Sequence, residues 1–518
     1  MNLKTFLSTV SLKYGPKPAV ISGDKRLSYA SLDEASNRVA HRLYDIGIRC
    51  GDRVAFILGN SPEFIIAFFG AVKLGAIAVP LDPKYKLSEL VSLLGDCQPK
   101  LLFAESPCLD TILSALPAKF PYIQHVVDFG GGEAGFDSFD RFLQGGSASP
   151  FAFEPQPDDI AVIAYTSGAS FKPRGIMLTH QSICTESEIS GEGFAQTERD
   201  VVSVFALPLH HAAGLTIVGL TSLYRGSTLV MLPGITVSSL LEAIEKYRIT
   251  LFIGVPFVFS LMNQHAEKEG IKNDLSSLRL CASGGSPLLV DVSSRFKALY
   301  GHHIAQFWGL TEITAHITVQ APDGSGVPGS IGTPLRGCEV EVVDHAGRLL
   351  PRNHTGELIC RGPLMKGYYN NPEATAEVIK NGWLYTGDIG HIDSDGNVFI
   401  TGRKKDLIIP KGQNIAPDDI ESVLLQSPKV AEAAVFGIPD DPRGEVIVAF
   451  IRLKEDHVAT ESEMKRLCLE NLANFKIPRE FHFVDFPLAS PTGSINKDAL
   501  RERLGLAPLF TSATVRPR

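Results

Sequence analysis

Tyr165-Thr-Ser-Gly-Ala-Ser-Phe-Lys-Pro-Arg-Gly175 follows the apolar run Ile160–Ala164. A short apolar run that ends in small residues reads as a buried strand, here Ile160–Thr166, giving way to a turn. Small and hydroxylated residues in that turn can offer backbone N–H and Oγ donors to a phosphate, and Lys172 and Arg174 add positive charge. The spacing is not that of a G-x-x-x-x-G-K-[ST] phosphate loop. Taken alone, the segment is better explained as a surface turn after a strand.

The pattern around it repeats. Short β-branched runs at Val54–Ile57, Val201–Leu207, Ser227–Leu232, Thr250–Val255, Leu278–Ala282 and Ile304–Phe307 alternate with amphipathic segments such as Val237–Tyr247 and Leu289–Tyr300. Alternating strands and helices predict α/β layers with largely parallel sheets. Near-continuous apolar strands fit sheets covered on both faces. From Gly337 to Arg403 the pattern becomes more purely β, with turns at His345–Gly347 and Asp393–Gly396. The last stretch predicts a compact α+β unit: helix Pro417–Gln426, strands Ala431–Phe436 and Val446–Leu453, helix Glu461–Leu472 and strand Phe481–Val484. Its natural border is the charged run Gly402-Arg-Lys-Lys-Asp406. The expected fold is therefore α/β, with a large multi-subdomain N-terminal domain (1–402) of parallel-rich sheets and a β-rich part, followed by a small α+β C-terminal domain (403–518).

At 518 residues the chain is too long for one ordinary core. Its net charge of −8 argues against a general nucleic-acid surface but not against an anionic small ligand. The 8 cysteines are dispersed with no C-x-x-C pair, which argues against a disulfide framework or zinc site and for a reducing, cytoplasmic setting. The N-terminal MNLKTFLSTVSLKYG reads as a helix and not a signal peptide. Phe64–Leu81 is broken by Lys73, Gly70, Gly75 and Pro80, so a buried helix running into a strand is expected there, not a membrane span.

Five further segments carry possible chemistry. Leu207-Pro-Leu-His-His-Ala-Ala-Gly-Leu215 places two histidines after a strand, where open α/β sheets bind ligands. His211 alone is as well explained by a structural hydrogen bond. Ser283-Gly-Gly-Ser-Pro287 would let a flat ligand approach the backbone, although a simple turn explains it too. Gln306-Phe-Trp-Gly-Leu-Thr-Glu312 offers an aromatic face at Trp308 and a hard oxygen ligand at Glu312; Trp308 could equally be core. Gly382-Trp-Leu-Tyr-Thr-Gly-Asp388 holds a carboxylate after a turn, which an ordinary turn aspartate also satisfies. Lys411-Gly-Gln-Asn-Ile-Ala-Pro417 leads into an acidic helix start.

Six such segments in this order resemble the adenylate-forming superfamily of acyl- and aryl-CoA synthetases, luciferases and peptide-synthetase adenylation domains. The resemblance runs from about Tyr29 to about Leu504 and includes Gly329-Ser-Ile-Gly-Thr-Pro334, Gly367-Tyr-Tyr-Asn370 and Val435-Phe-Gly-Ile-Pro-Asp-Asp441. It implies an AMP-forming acid–CoA ligase using ATP, Mg²⁺ and coenzyme A on a small-molecule carboxylic acid. By resemblance, Thr166, Ser167, Gly168, Ser170, Lys172 and Arg174 line the triphosphate. Gly284, Gly285 and Trp308 flank adenine, and Ser286, Gln306, Gly309 and Leu310 belong to the same nucleotide-binding set. Thr311 contacts the α-phosphate, Glu312 holds Mg²⁺, Asp388 and Arg403 bind the ribose hydroxyls, and Ile400 is a further nucleotide-binding position. His211 stands at the acyl pocket, lined further by Val255–Phe259, Gly284 and Ala315–His316. Lys405 is the hinge of a mobile C-terminal lid, and Lys411 and Gly412 face the pantetheine.

The chain departs from the family pattern in two places. Ala169-Ser170-Phe171 replaces Thr-Thr-Gly, and Arg174 replaces a lysine, keeping charge but changing geometry. Ser494, in Pro491-Thr-Gly-Ser-Ile-Asn-Lys497, occupies the position of the family's adenylation lysine. These departures keep open a non-catalytic acyl-nucleotide binding protein, and the resemblance itself leaves open an adenylating enzyme with another acceptor, such as a carrier protein or a luciferase-like oxidation.

Overall fold

The computed structural model describes all residues except 106–107, 114–117, 131–135, 167–173, 205–206, 233–235, 286–287, 289, 404–407, 409, 411–412, 414, 416, 441–443, 487, 489–502 and 506–518. Four sheets organise the described residues. In the first, strands Ile304–Trp308, Leu280–Ser283, Leu251–Gly254, Val201–Val204, Thr228–Met231 and Pro18–Ser22 lie side by side, all parallel. In the second, Ile160–Thr166, Ile77–Leu81, Arg53–Ile57, Leu101–Ala104 and His125–Asp128 are parallel, with Arg174–Thr179 added antiparallel to Ile160–Thr166. The third is antiparallel, built on Glu339–Val343, Gly356–Arg361, Trp383–Ile392 and Val398–Arg403. The α/β expectation with a β-rich part is met.

The central parallel strands are largely apolar because both faces are covered. Ile77–Leu81, Leu101–Ala104 and Leu251–Gly254 are buried at every position. The run from Phe64 forms helix Pro62–Leu74 and then strand Ile77–Leu81, as its interruptions indicated. Ser61 caps the helix by accepting from Phe64 N–H, Pro62 starts it, and Gly75 ends it at φ +79°. It crosses helix Tyr29–Asp45 at Gly70, where a Cβ would lie 2.3 Å from Val39 Cγ1. The N-terminal segment forms helix Leu3–Tyr14, capped by Asn2. Among the described residues no helix is long and apolar enough to cross a membrane.

The fourth sheet pairs Val430–Asp440 with Gly444–Leu453 and adds Glu480–Val484 in parallel. It has its own apolar clusters on two faces, one beginning at Ile408, whereas the large N-terminal cluster ends at Val398. Contacts that cross to the body include Lys476 with Glu89 and over the Tyr85 ring, and Ser88 Oγ donating to Asn471 O at 2.9 Å.

Candidate functional site

Parallel strands place all their carboxyl ends at one edge, and open α/β sheets bind ligands there. In the first sheet that edge carries, strand by strand, the loops beginning after Val204, Gly254, Ser283 and Trp308. In the second it carries Asn60, Asp82 and Thr166. The two edges meet. Leu209 N–H donates to Asn60 Oδ1 at 2.8 Å, and His210 Nε2 lies 3.5 Å from Asp82 Oδ2.

The 308–312 turn reaches outward twice. Trp308, 7% exposed, donates its indole N–H to Asp388 Oδ2 at 2.9 Å, and Asp388 is itself only 2% exposed. Asp388 pairs across strands with Arg403. Gly309 is required by space: a Cβ would fall 2.0 Å from Ala315 O. Glu312 sits in a single 3₁₀ turn and accepts from Tyr368 OH at 2.9 Å. The Arg174 guanidinium lies 5.6 Å from the centre of the Tyr368 ring. Burial first, and then the Glu312 charge, push the Tyr368 hydroxyl well up, so it remains a donor at neutral pH. Tyr368 belongs to a strand paired with Ile176 and Met177, so the end of the Tyr165–Gly175 segment and the 308–312 turn meet at one place.

Beyond Glu312 the chain turns sharply. Thr314 has φ +69°, a region that a β-branched residue rarely enters, and its neighbours close a tight turn through Ala315 N–H to Ile313 O at 2.9 Å. Its buried hydroxyl donates to Pro363 O. Next to the turn, Gly284 accommodates the Phe307 ring, 2.3 Å from where a Cβ would be, and Gly285 has φ +82°. Gln306 lies inside its strand with its N–H bonded to Gln320, and Ile400 pairs with Gly390.

His211 follows the first sheet's Val201–Val204 strand and precedes a buried π-helical turn, Gly214–Leu220. Burial, with His210 beside it, pushes its imidazole down to about 3 against the opposing pull of Asp82, so it is neutral at ordinary pH. Burial alone would raise Asp82, but His210, the Lys84 N–H and His211 together hold it at about 2. One pocket expectation needs correcting. The His316 side chain is fully buried away from the edge, stacked on Phe194 at 5.2 Å, with Nδ1 2.8 Å from Glu186 Oε1. A polar residue beside a motif turned inward because a buried acid 130 positions earlier was waiting for it.

Of the predicted positions, the structure brings together Trp308 with Asp388, and Glu312 with Arg174 through Tyr368. His211 shares the strand-end edge with these pairs. Ser167, Gly168, Ser170, Lys172, Ser286, Lys405, Lys411, Gly412, Ser494 and Lys497 lie outside the described residues, as do the side chains of Thr166 and Arg403. Sequence reasoning did not assign Tyr368 or Asp82 a role. Tyr368 was visible within Gly367-Tyr-Tyr-Asn370; Asp82 follows the apolar run ending at Leu81.

Comparison with known proteins gives consistent results. The AMP-binding enzyme family matches residues 8–369, and the AMP-binding enzyme C-terminal domain matches residues 419–493. A 4-coumarate–CoA ligase from Vanilla planifolia is 34% identical over 96% of this chain and 93% of its own length. A long-chain-fatty-acid–CoA ligase from Bacillus subtilis is 31% identical over 93% of this chain and 90% of its own. Among solved structures, an amide bond synthetase from Marinactinospora thermotolerans superposes with a TM-score of 0.87 at 27% identity, covering 97% of this chain and 99% of that one.

Proposed function

The chain belongs to the AMP-binding enzyme family, and from that premise we propose that it is an AMP-forming acid–CoA ligase acting on a hydrophobic carboxylic acid. The observation that carries this reading is the double reach of the 308–312 turn, to Asp388 at one end and to Tyr368 and Arg174 at the other. It puts an aromatic face, a carboxylate and a cation around one strand-end edge.

In the first step a carboxylate oxygen of the acid bonds to the α-phosphorus of ATP, and the bond from that phosphorus to pyrophosphate breaks. In the second, the CoA sulfur bonds to the acyl carbon, AMP departs with the bridging oxygen, and the thiol proton passes to solvent. No protein nucleophile is needed. The residues must neutralise phosphate charge and hold the attacking oxygen in line. Arg174, Thr311 and the 167–173 connection serve the phosphates in this reading. Trp308 orients Asp388 toward the ribose and presents its face to adenine. Glu312 is a partly exposed carboxylate held by Tyr368, a donor suited to a hard cation. Mg²⁺ bound there would neutralise phosphate charge. Neutral His211 would border the acid without adding a competing charge. We place the domain border at 402/403 and the hinge at Lys405, with Lys411 and Gly412 toward pantetheine.

The relatives are named for an aromatic and an aliphatic acid, which supports a hydrophobic substrate and leaves its shape open. AMP release across a panel of aryl, alicyclic and aliphatic acids tests the reading. AMP formation that requires both acid and CoA is expected; none with any acid, or release indifferent to CoA, overturns it. Ser494 cannot supply the charge of the family's lysine, so the adenylation step is slow. Ser494→Lys should raise pyrophosphate exchange by roughly a hundredfold or more if one transition-state contact is restored. An unchanged or lower rate would refute that role.

A further inference from the structure

The contact that joins the two strand-end edges has a composition of its own. Ligand atoms of Asp82, His210 and His211 all lie within 4.8 Å of one another. His210 Nε2 stands 3.5 Å from Asp82 Oδ2, too far for a good hydrogen bond. It is close to the roughly 3.3 Å that separates two ligand atoms on a tetrahedral zinc ion with bonds near 2.0–2.1 Å. The His210 side chain is 8% exposed, and both its ring nitrogens are buried without a hydrogen-bond partner among the described residues. Buried polar groups are almost always satisfied, so two orphan nitrogens on one ring call for a partner. Asp82 is prepared from behind: its other oxygen accepts from Lys84 N–H at 2.8 Å, which aims Oδ2 at the histidines. The two imidazoles, 4.6 Å apart and tilted by 57°, are not stacked flat.

We infer that Asp82, His210 and His211 form a binding site for a first-row divalent cation of the zinc type. Two imidazole nitrogens and one carboxylate oxygen suit such an ion and not Mg²⁺, which prefers oxygen ligands. The site is therefore distinct from Glu312. Three protein ligands leave a coordination position open, as catalytic zinc sites do. Bound there, the ion ties the loop after Leu81 to the loop after Val204, fixing the two sheets' edges together. Its open position takes an oxygen donor; that this donor is the carboxylic acid rests on the reading of His211 given above, while cation binding does not.

The test is a titration of the chelator-treated full chain with Co²⁺, in saturating Mg²⁺ and without ATP or acid, followed by visible absorption. Intense ligand-field bands that saturate at a single equivalent and are discharged by Zn²⁺ are expected. Asp82→Asn and His210→Gln should each weaken binding by more than the roughly 10–100-fold that an outer-shell change costs. His345→Gln, on an exposed turn, should leave it unchanged. Should either ligand variant fail to fold, imidazole NMR of the wild-type chain gives the answer without mutation: two histidine ring systems shift on adding Zn²⁺. Absence of bands or shifts in the wild type, or equal binding by the folded variants, overturns the site. Because no substrate is present, failure here leaves the ligase reading intact, and failure of AMP release leaves this result intact.

Discussion

Among the described residues two lysines are buried, and their surroundings pull them in opposite directions. Lys73, in helix Pro62–Leu74, is 1% exposed and donates to Asp33 Oδ1 at 2.7 Å, Asp33 O at 3.0 Å and Asn37 Oδ1 at 2.7 Å. Burial outweighs Asp33 and pushes it down to about 8. Lys476, in the C-terminal unit, is 8% exposed and lies 3.0 Å from Glu89 Oε1 and 3.4 Å from Asp419 Oδ2, over the Tyr85 ring. Burial pulls it down too, but Tyr85, Glu89 and Asp419 outweigh that pull and leave it raised. One carboxylate and an amide do not repay the loss of water; a tyrosine and two carboxylates do. The first lysine bolts two helices of the body together. The second joins the C-terminal unit, through Asp419, to body helix Leu87–Cys97, through Glu89.

The largest effect follows from removing the second. Lys476→Met leaves Glu89 and Asp419 facing each other in a buried place, and breaking such a pair costs on the order of 3–5 kcal/mol. The C-terminal unit has its own core, so the loss should appear as undocking, not unfolding. Hydrogen exchange should accelerate in 87–97 and 417–424 while strands Val430–Asp440 and Gly444–Leu453 stay protected. Exchange unchanged in both helices would show that the lysine does not hold the units together.

Lys73→Met should cost less, on the order of 1–2 kcal/mol, because the Asp33 left behind is 20% exposed and can rehydrate. Urea unfolding measures this. A loss larger than that from Lys476→Met would invert the comparison.

The two lysines should also differ with pH. Lys73 has a native value of about 8 against 10.5 for a free lysine, so between those values the unfolded chain binds more protons. Its contribution therefore makes stability rise with pH across that window. Lys476 has a raised native value, so its stabilisation is complete below the unfolded value and is lost only above it, as pH climbs through the native one. The urea midpoint of the wild type minus that of Lys73→Met should climb between about pH 8 and pH 10. A flat difference would contradict the depressed value.

None of these pairings was legible in the sequence, and the reason is physical. The alternation around Ile160–Thr166 or Leu251–Gly254 is written locally, because a strand covered on both faces must be apolar throughout. Strand Arg174–Thr179 begins at the end of the segment expected to be a turn and pairs antiparallel with Ile160–Thr166, a return that the apolar run before the turn does not announce. Strand Val430–Asp440 extends past the expected Phe436 because its hairpin partner pairs with it as far as Asp440. Sites are harder still. Trp308 and Asp388 are 80 residues apart, and Glu312 and Tyr368 are 56 apart; only the fold brings them together. The motifs showed which residues would matter at the nucleotide edge. They could not show that Thr314 would hold a left-handed backbone, or that Asp82 would close on His210.

The smallest effect tests the rule behind the comparison. Asn37→Asp gives Lys73 a second carboxylate and so makes its surroundings like those of Lys476. The oxygen that now accepts from Lys73 at 2.7 Å would gain charge, which favours the protonated lysine. The same change removes the Asn37 amide, which donates to Ala148 O at 3.2 Å, and sets an oxygen against that carbonyl. A strengthened charge pair and a lost hydrogen bond oppose each other, so stability at neutral pH should move by no more than about 1 kcal/mol. The pH dependence should move more clearly. With two acids beside it, Lys73 should keep its proton to higher pH, and the climb in stability between about pH 8 and pH 10 should flatten. If the climb persists in Asn37→Asp, the number of carboxylates is not what separates the two lysines, and the depth of burial alone must be.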